Sequence, residues 1–267
     1  MTHCINQDPI LLYLWKRRTL YLGELPSIPD LTPAASTLLV GLDKPFLIWD
    51  YASGQKRETR TALVPAGTHF GADPRNQNMV NCYLDPLGED LRALSPMMQG
   101  SIGPILVDCR DELGQLEDFH TIVRDTPPAA DAYGILDAQF HRQGSVSIAK
   151  SRMVEPIQRV IDLIQSDPLS NEPTEWLAHK AGLTQPQLNR WFKRITGVPV
   201  RRYRLWHRLF VTANLMSFGK SLTDAAHEAG FSDSSHLNHT FRSMIGMTPS
   251  FVFQRSDRLR IFTCPEH

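Results

Sequence analysis

Two stretches in the last third of the chain carry side-chain types that can read nucleic-acid bases and phosphates. Gln185, Pro186, Asn189, Arg190 and Lys193 fall on one face at helical spacing, and so do Ser234, Ser235, Asn238, His239 and Arg242. An arginine can bond guanine O6 and N7 together, and an asparagine or glutamine can do the same to adenine N6 and N7. Arg190, Asn189 and Gln185 offer that chemistry. Serine is short-armed and reaches phosphates more readily than base edges, so the second set suits positioning better than discrimination. Between Thr184 and Arg208 there are seven basic residues and no acidic one: Arg190, Lys193, Arg194, Arg201, Arg202, Arg204 and Arg208. Such a run can track phosphates, although the Arg201–Arg204 cluster alone would equally suit a solvated helix start.

The elements that would carry these side chains are written twice. Ala178-His-Lys-Ala-Gly182-Leu183 recurs as Ala226-His-Glu-Ala-Gly230-Phe231. Leu188-Asn189, Phe192-Lys193 and Gly197 recur as Leu237-Asn238, Phe241-Arg242 and Gly246. Each copy predicts a helix, a glycine turn and a second helix. Gly182 and Gly230 permit the left-handed turn. Thr184 caps the second helix of the first unit, and Ser221 starts the second unit in a capping-box-like pattern with Asp224. The small alanines let the paired helices cross closely. Val200–Ser217, with Tyr203, Trp206, Phe210 and Leu215 on one side, predicts a helix joining the units. Trp191 and Trp206 read as core residues rather than base-stacking platforms.

From about Pro156 to Phe253 the chain resembles the DNA-binding domain of the AraC/XylS family of bacterial transcription regulators. The residues that carry the resemblance run from Ala226 through Gly230-Phe231, Leu237, Phe241-Arg242 and Gly246 to Thr248-Pro249. Arg208-Leu209 with Thr212 and Leu215-Met216 resembles the family's linker-helix motif. The resemblance implies two helix-turn-helix units whose second helices enter successive major grooves. It makes Gln185, Pro186, Asn189 and Arg190 the candidate contacts of the first unit, and Ser234, Ser235 and His239 those of the second, with Lys193 and Arg242 beside them. Pro186 and His239 depart from the residues frequent at those positions.

The first 150 residues read differently. Leu11–Tyr21, Ser36–Leu42, Phe46–Tyr51, Thr61–Val64 and Met79–Leu84 are short apolar or β-branched runs separated by turn chemistry, which predicts a small barrel or sandwich. From Pro86 the spacing turns helical, with Leu87, Leu91, Leu94 and Met98 on one stripe. Leu113, Leu116, Phe119 and Val123 form a second, and Tyr133, Leu136 and Phe140 a third. The spacing predicts strands followed by helices, and the resemblance implies that these form an N-terminal cupin-like β-barrel with appended helices, residues 1–148, then an all-α domain, residues 149–257, with two helix-turn-helix units and a linker helix. The linker between domains is placed near residues 144–151, at Gly144-Ser145.

The resemblance implies effector binding and dimerisation by the N-terminal half. Trp15, Phe46, Trp49, Tyr51 and His69 are the candidate pocket residues, against the plainer reading that these aromatics fill the barrel. The three helical stripes are the candidate dimer interface, or they pack on their own barrel. The turn from Pro65 to His69 resembles one found in cupin-like sensor domains, but His69 has no near partner, and His120 and His141 fall in predicted helices. A metal site needs three or four ligands, so neither metal, cofactor nor catalytic residue is expected.

Net charge is zero over the 267 residues, but residues 1–150 carry 13 Lys+Arg against 18 Asp+Glu and the remainder 15 against 10. The basic half has an electrostatic reason to meet a polyanion and the acidic half has none. Cys4, Cys82, Cys109 and Cys264 lie far apart, which suits free thiols in a reducing compartment. No segment reads as a signal or membrane span, and a cytoplasmic protein is expected. The expected partners are double-stranded promoter DNA, RNA polymerase, a small-molecule effector and a second copy through the N-terminal half. The competing readings are a ligand-independent DNA-binding regulator and a cupin-type metalloenzyme fused to a DNA reader.

Overall fold

The computed structural model describes residues 9–142, 153–253 and 258–264. The chain begins with nine strands: β1 (Ile10–Leu14), β2 (Thr19–Glu24), β3 (Ile28–Leu31), β4 (Thr37–Gly41), β5 (Phe46–Asp50), β6 (Lys56–Thr59), β7 (Thr61–Val64), β8 (Phe70–Asp73) and β9 (Asn78–Tyr83). Helix α1 (Glu89–Leu94), a hairpin of β10 (Met98–Ile102) and β11 (Ile105–Cys109), and helices α2 (Glu112–Asp125) and α3 (Ala129–Phe140) follow. The helical half comprises α4 (Val154–Ser166), α5 (Thr174–Lys180), α6 (Gln185–Thr196), α7 (Val200–Ser217), α8 (Leu222–Glu228), α9 (Ser234–Ile245) and α10 (Pro249–Phe253). A last strand, β12 (Leu259–Thr263), returns to the first half.

Eight strands form one sheet in the order β10-β11-β7-β4-β9-β2-β1-β12, and four form a second, β3-β8-β5-β6. The strands β7, β4, β9, β2 and β1 of the long sheet are buried on both faces, which is why most of them read as apolar runs. Ile10, Leu12 and Leu14 of β1 join Phe46, Ile48 and Phe70 of the short sheet in one core. Leu11 and Tyr13, pointing the other way, join Leu116, Phe119 and Ile122 of α2 and Leu136 and Phe140 of α3. The N-terminal half is thus three layers, short sheet, long sheet and helices.

Several expectations are corrected here. Leu11–Tyr21 is not one strand but two, β1 and β2, turned at Lys16–Arg18. Met98 does not extend the first helical stripe but opens the β10–β11 hairpin, whose turn needs Gly103 at φ 53°. Leu113 is 82% exposed, and Ile122 takes the inward place on α2. The α2 and α3 stripes pack on the chain's own sheet, so they are covered rather than offered to a second copy. The expected interdomain linker lies outside the described residues. The helical half does not end the structured chain, because β12 pairs in parallel with all of β1, from Ile10 opposite Leu259 to Leu14 opposite Thr263.

The helical units are embedded unequally. α5 and α6 have a core of their own, with Ile157, Ile161, Leu177, Leu188 and Phe192. Leu237 and Phe241 of α9, with Leu209 of α7, instead belong to the core that fills the space between the two sheets.

Candidate nucleic-acid interface

The first helix-turn-helix unit is built as its residues predict. Pro173 precedes α5, and Gly182 turns the chain at φ 71°. Thr184 accepts a hydrogen bond from the Gln187 backbone N–H, and Gln187 returns one from the Thr184 N–H at 2.9 Å, a complete capping box. Leu188, Phe192 and Thr196 are buried, and Gly197 ends α6 in the left-handed region. That leaves Gln185, Pro186, Asn189, Arg190 and Lys193 exposed on one face. Trp191 is half-buried between two cations, with the Arg190 and Arg194 guanidinium carbons 5.8 and 5.1 Å from the ring centroids. A cation near a ring face at such distances is attracted by the ring's quadrupole.

The second unit follows the same plan with different chemistry. Ser221 caps α8, accepting from the Asp224 N–H at 3.1 Å. Gly230 makes the turn at φ 80°, and Asp233 caps α9, accepting from the His236 N–H at 2.8 Å. Ser235, His239 and Arg242 are exposed; Ser234 and Asn238 are partly covered, and the Asn238 amide donates to the Ser234 carbonyl at 2.9 Å. Among the described residues, the side chains of Gln185, Asn189, Arg190, Lys193, Ser235, His239 and Arg242 have no hydrogen-bond partner.

The two faces differ electrostatically. A helix N-terminus attracts anions through its unpaired N–H groups and dipole. α6 begins with a neutral cap and no acidic residue in its first turn. α9 begins with the Asp233 carboxylate, held below the usual carboxylate range by the His236 N–H and its neighbours. The start of α6 is therefore the less acidic of the two.

The basic run does not all face outward. Arg201 is exposed, but Arg202 reaches the Thr32 carbonyl of the other domain and the Ser243 carbonyl. Arg208 donates to Pro168, Asn171 and Gly230. Burial lowers the proton affinity of Arg202, Arg204 and Arg208. The exposed members of the basic run are therefore Arg190, Lys193, Arg194 and Arg201. Arg202 and Arg208 turn inward because α7 is packed on several sides and carbonyls of neighbouring segments take their donors.

The candidate effector residues are not gathered into one pocket. Phe46 lies wholly in the core between the sheets. Trp49, on the opposite face of β5, packs over Gly71. Tyr51 stacks on His69 at the surface, ring centroids 4.2 Å apart, and His69 Nε2 is 2.7 Å from the Asp30 carboxylate. The turn before His69 docks on the other domain: a Cβ on Gly67 would stand 2.8 Å from the Gly197 carbonyl that ends α6. Among the described residues no group of His, Cys, Asp or Glu is placed to hold a metal ion. Nor is any described helix long and apolar enough to cross a membrane.

Of the five, Trp15 alone lines a large cavity. An open cleft of about 770 Å³ lies between the domains, lined by Trp15, Lys16 and Arg17, by Tyr133 of α3, by His207 and Phe210 of α7, and by Phe218 just beyond that helix. Arg17 is engaged by Asp85 and Glu89 at 2.7 and 2.9 Å, while Lys16 is exposed and has no ion-pair partner among the described residues. Sequence reasoning missed this site, although the Lys16-Arg17-Arg18 triplet was its visible signal.

Two helix-turn-helix units joined by one helix give the layout of an AraC-type DNA-binding domain, here joined to a sheet-rich N-terminal domain. A family model described as a helix-turn-helix domain matches residues 177–255. Thermoregulatory protein LcrF of Yersinia pestis is 25% identical over 173 residues, 62% of this chain and 63% of LcrF. The transcriptional activator RhaS of Citrobacter koseri is 34% identical over 86 residues, 32% of this chain and 31% of RhaS. The chain thus spans less than two thirds of the length of these curated relatives. ToxT of Vibrio cholerae, solved with an unsaturated fatty acid bound, has the same overall fold, with a TM-score of 0.58 at 14% identity over 89% of this chain and 95% of ToxT. The helix-turn-helix half of this chain is thus similar to the DNA-binding domain of AraC-type regulators.

Proposed function

We propose that this protein is a transcription regulator that reads promoter DNA through α6 and α9, under control of a small anionic amphiphile bound between its domains. The observation that carries the reading is the pair of exposed polar helix faces on α6 and α9, where Gln185, Asn189, Arg190, Lys193, Ser235, His239 and Arg242 have no hydrogen-bond partner among the described residues, while the inward residues of both helices are buried. α6 supplies the base discrimination, through Arg190 on guanine and Asn189 or Gln185 on adenine. α9 supplies register on the backbone through Ser234, Ser235, His239 and Arg242. Partners beyond DNA, namely RNA polymerase and a second copy, belong to the same reading.

In vitro selection from random duplexes followed by binding measurements tests it. Arg190→Ala is expected to cost about 1–3 kcal/mol, roughly 5- to 150-fold, and to relax preference at one base pair. Ser235→Ala and His239→Ala are expected to weaken binding to all sequences alike. If the α9 substitutions relax sequence preference more than Arg190→Ala does, the division of labour is wrong.

Support for the effector comes from the cleft's chemistry. Trp15, Tyr133, Phe210 and Phe218 offer an apolar lining, and Lys16 stands at its edge, the arrangement that suits an acyl chain ending in a carboxylate. The likeness of fold to ToxT, which binds an unsaturated fatty acid, agrees with this. Calorimetry with a long-chain unsaturated fatty acid should show binding that Lys16→Ala weakens by roughly 10- to 150-fold, one charge-assisted hydrogen bond being worth about 1.5–3 kcal/mol. Undiminished binding by Lys16→Ala would remove the carboxylate from this place.

A further inference from the structure

We propose that Arg208 is the positioning residue that sets the distance and rotation between the two reading helices, and so the half-site spacing this protein accepts. The proposal rests on the DNA-reading function above and adds to it. Arg208 lies at the middle of α7, and its guanidinium spends donors in three directions. Nε bonds the Pro168 carbonyl at 3.0 Å and Nη2 the Asn171 Oδ1 at 3.0 Å. Both belong to the segment between α4 and α5 that leads into the first unit. Nη1 bonds the Gly230 carbonyl at 2.9 Å, at the turn of the second unit.

The three parts meet closely at this point. A Cβ on Gly230 would stand 3.1 Å from Leu169 Cδ2 and 3.3 Å from the Arg208 guanidinium carbon. Gly230 already needs its left-handed backbone for the turn, so the clamp closes on a segment with little freedom. None of the acceptors is charged. The guanidinium therefore acts through direction rather than through an ion pair, and a lysine, with one rotatable ammonium, cannot serve all three acceptors in the same fixed plane.

The apolar contacts divide between two cores: α7 gives Val200 and Tyr203 to that of the first unit and Leu209 and Ala213 to that of the second. They tie each unit to α7, and the Arg208 clamp adds directional bonds from α7 toward both units at one point. Successive half-sites lie about one helical turn apart, roughly 34–36 Å. A one-base-pair change moves the second half-site by roughly 3.4 Å and about a tenth of a turn, which a rigid two-unit reader resists.

The test uses the full chain and the duplex that the wild-type protein selects. One base pair is inserted or removed between the half-sites, and affinities are measured for wild type, Arg208→Lys, Arg208→Ala and Asn171→Ala. The wild type should lose roughly tenfold or more on either altered spacing, in line with the cost of one mismatched pair. Arg208→Ala and Arg208→Lys should tolerate both spacings within about threefold, and Asn171→Ala, lacking one of three bonds, should fall between. A purely structural arginine would lower affinity for every duplex by one factor and leave the spacing preference intact; that result overturns the proposal. Should Arg208→Ala fail to fold, Arg208→Lys and Asn171→Ala decide the matter by the same readout. A wild-type protein that selects no sequence overturns the DNA reading itself, and this proposal with it.

Discussion

Asp90→Ala is expected to destabilise the protein by about 3–5 kcal/mol, the cost of leaving a buried charge without its partner. Arg18 and Asp90 form a two-point pair, Nε to Oδ2 at 2.8 Å and Nη2 to Oδ1 at 2.5 Å, with 4% and 2% of the side chains exposed. The Asp90 carboxylate also accepts the Asp85 N–H at 3.0 Å. The guanidinium lies over the Tyr133 and Phe140 rings, 4.6 and 5.0 Å from their centroids. Burial alone would lower its proton affinity; the bonds to Asp90 outweigh that and keep it charged. Asp137, the other carboxylate at 3.0 Å, is half-exposed and cannot replace Asp90. Denaturant unfolding of the variant measures the loss. Arg18→Met combined with Asp90→Ala should recover much of it, because removing both charges avoids the orphan. A loss under about 1 kcal/mol for Asp90→Ala would mean that water reaches Arg18 and that the pair is not buried. The pair ties the β1–β2 turn to α1 and α3, so the same variant should loosen the side of the cleft formed by Lys16 and Arg17.

Removal of residues 258–264 should have an effect of similar size, about 2–4 kcal/mol, and a second consequence in self-association. β12 covers the whole of β1, and the Phe262 ring stacks on Tyr13 with centroids 4.6 Å apart and planes 15° apart. Without it, Ile-Leu-Leu-Tyr-Leu becomes an unpaired apolar edge at the end of an eight-stranded sheet. Edges of that kind pair with other chains. The truncated protein should unfold at lower denaturant and form larger species in sedimentation velocity as concentration rises. Thr263 and Cys264 also line the interdomain cleft, so truncation should weaken a cleft ligand even where the fold survives. A truncated chain as stable and as dispersed as the full one would show that β12 is an ornament on the sheet.

How far the sequence was legible follows from where each signal resides. The helix-turn-helix units were readable because their determinants lie within a few residues of one another. Gly182 and Gly230 sit in the left-handed turns, Thr184 caps α6, and Leu188, Phe192, Leu237 and Phe241 are buried as their spacing implies. Most strands of the long sheet were readable because burial on both faces makes them largely apolar. β3 and β6 were not. They are the edges of the short sheet, one containing Pro29 and the other reading Lys-Arg-Glu-Thr, with no apolar pattern to see. The β10–β11 hairpin was hidden because Leu94 and Met98 happen to continue a helical stripe, although Gly103-Pro104 marked the turn.

The sequence by itself therefore determined the outward faces of α6 and α9. Which side chains of α6 and α9 point outward follows from 3.6-residue periodicity and local caps, and these forces act over a single turn of helix. The tertiary structure alone decided what those units are attached to. It turned Arg202 and Arg208 from the solvent to carbonyls of distant segments. It dispersed Phe46, Trp49, Tyr51 and His69 while bringing Trp15 and Lys16 into one cleft with Phe210 and Phe218. It also laid Leu259–Thr263 beside Ile10–Leu14, at the other end of the chain. These placements depend on which apolar faces meet, and burial rewards any matching face without regard to its distance along the chain. No local pattern in the sequence records that choice.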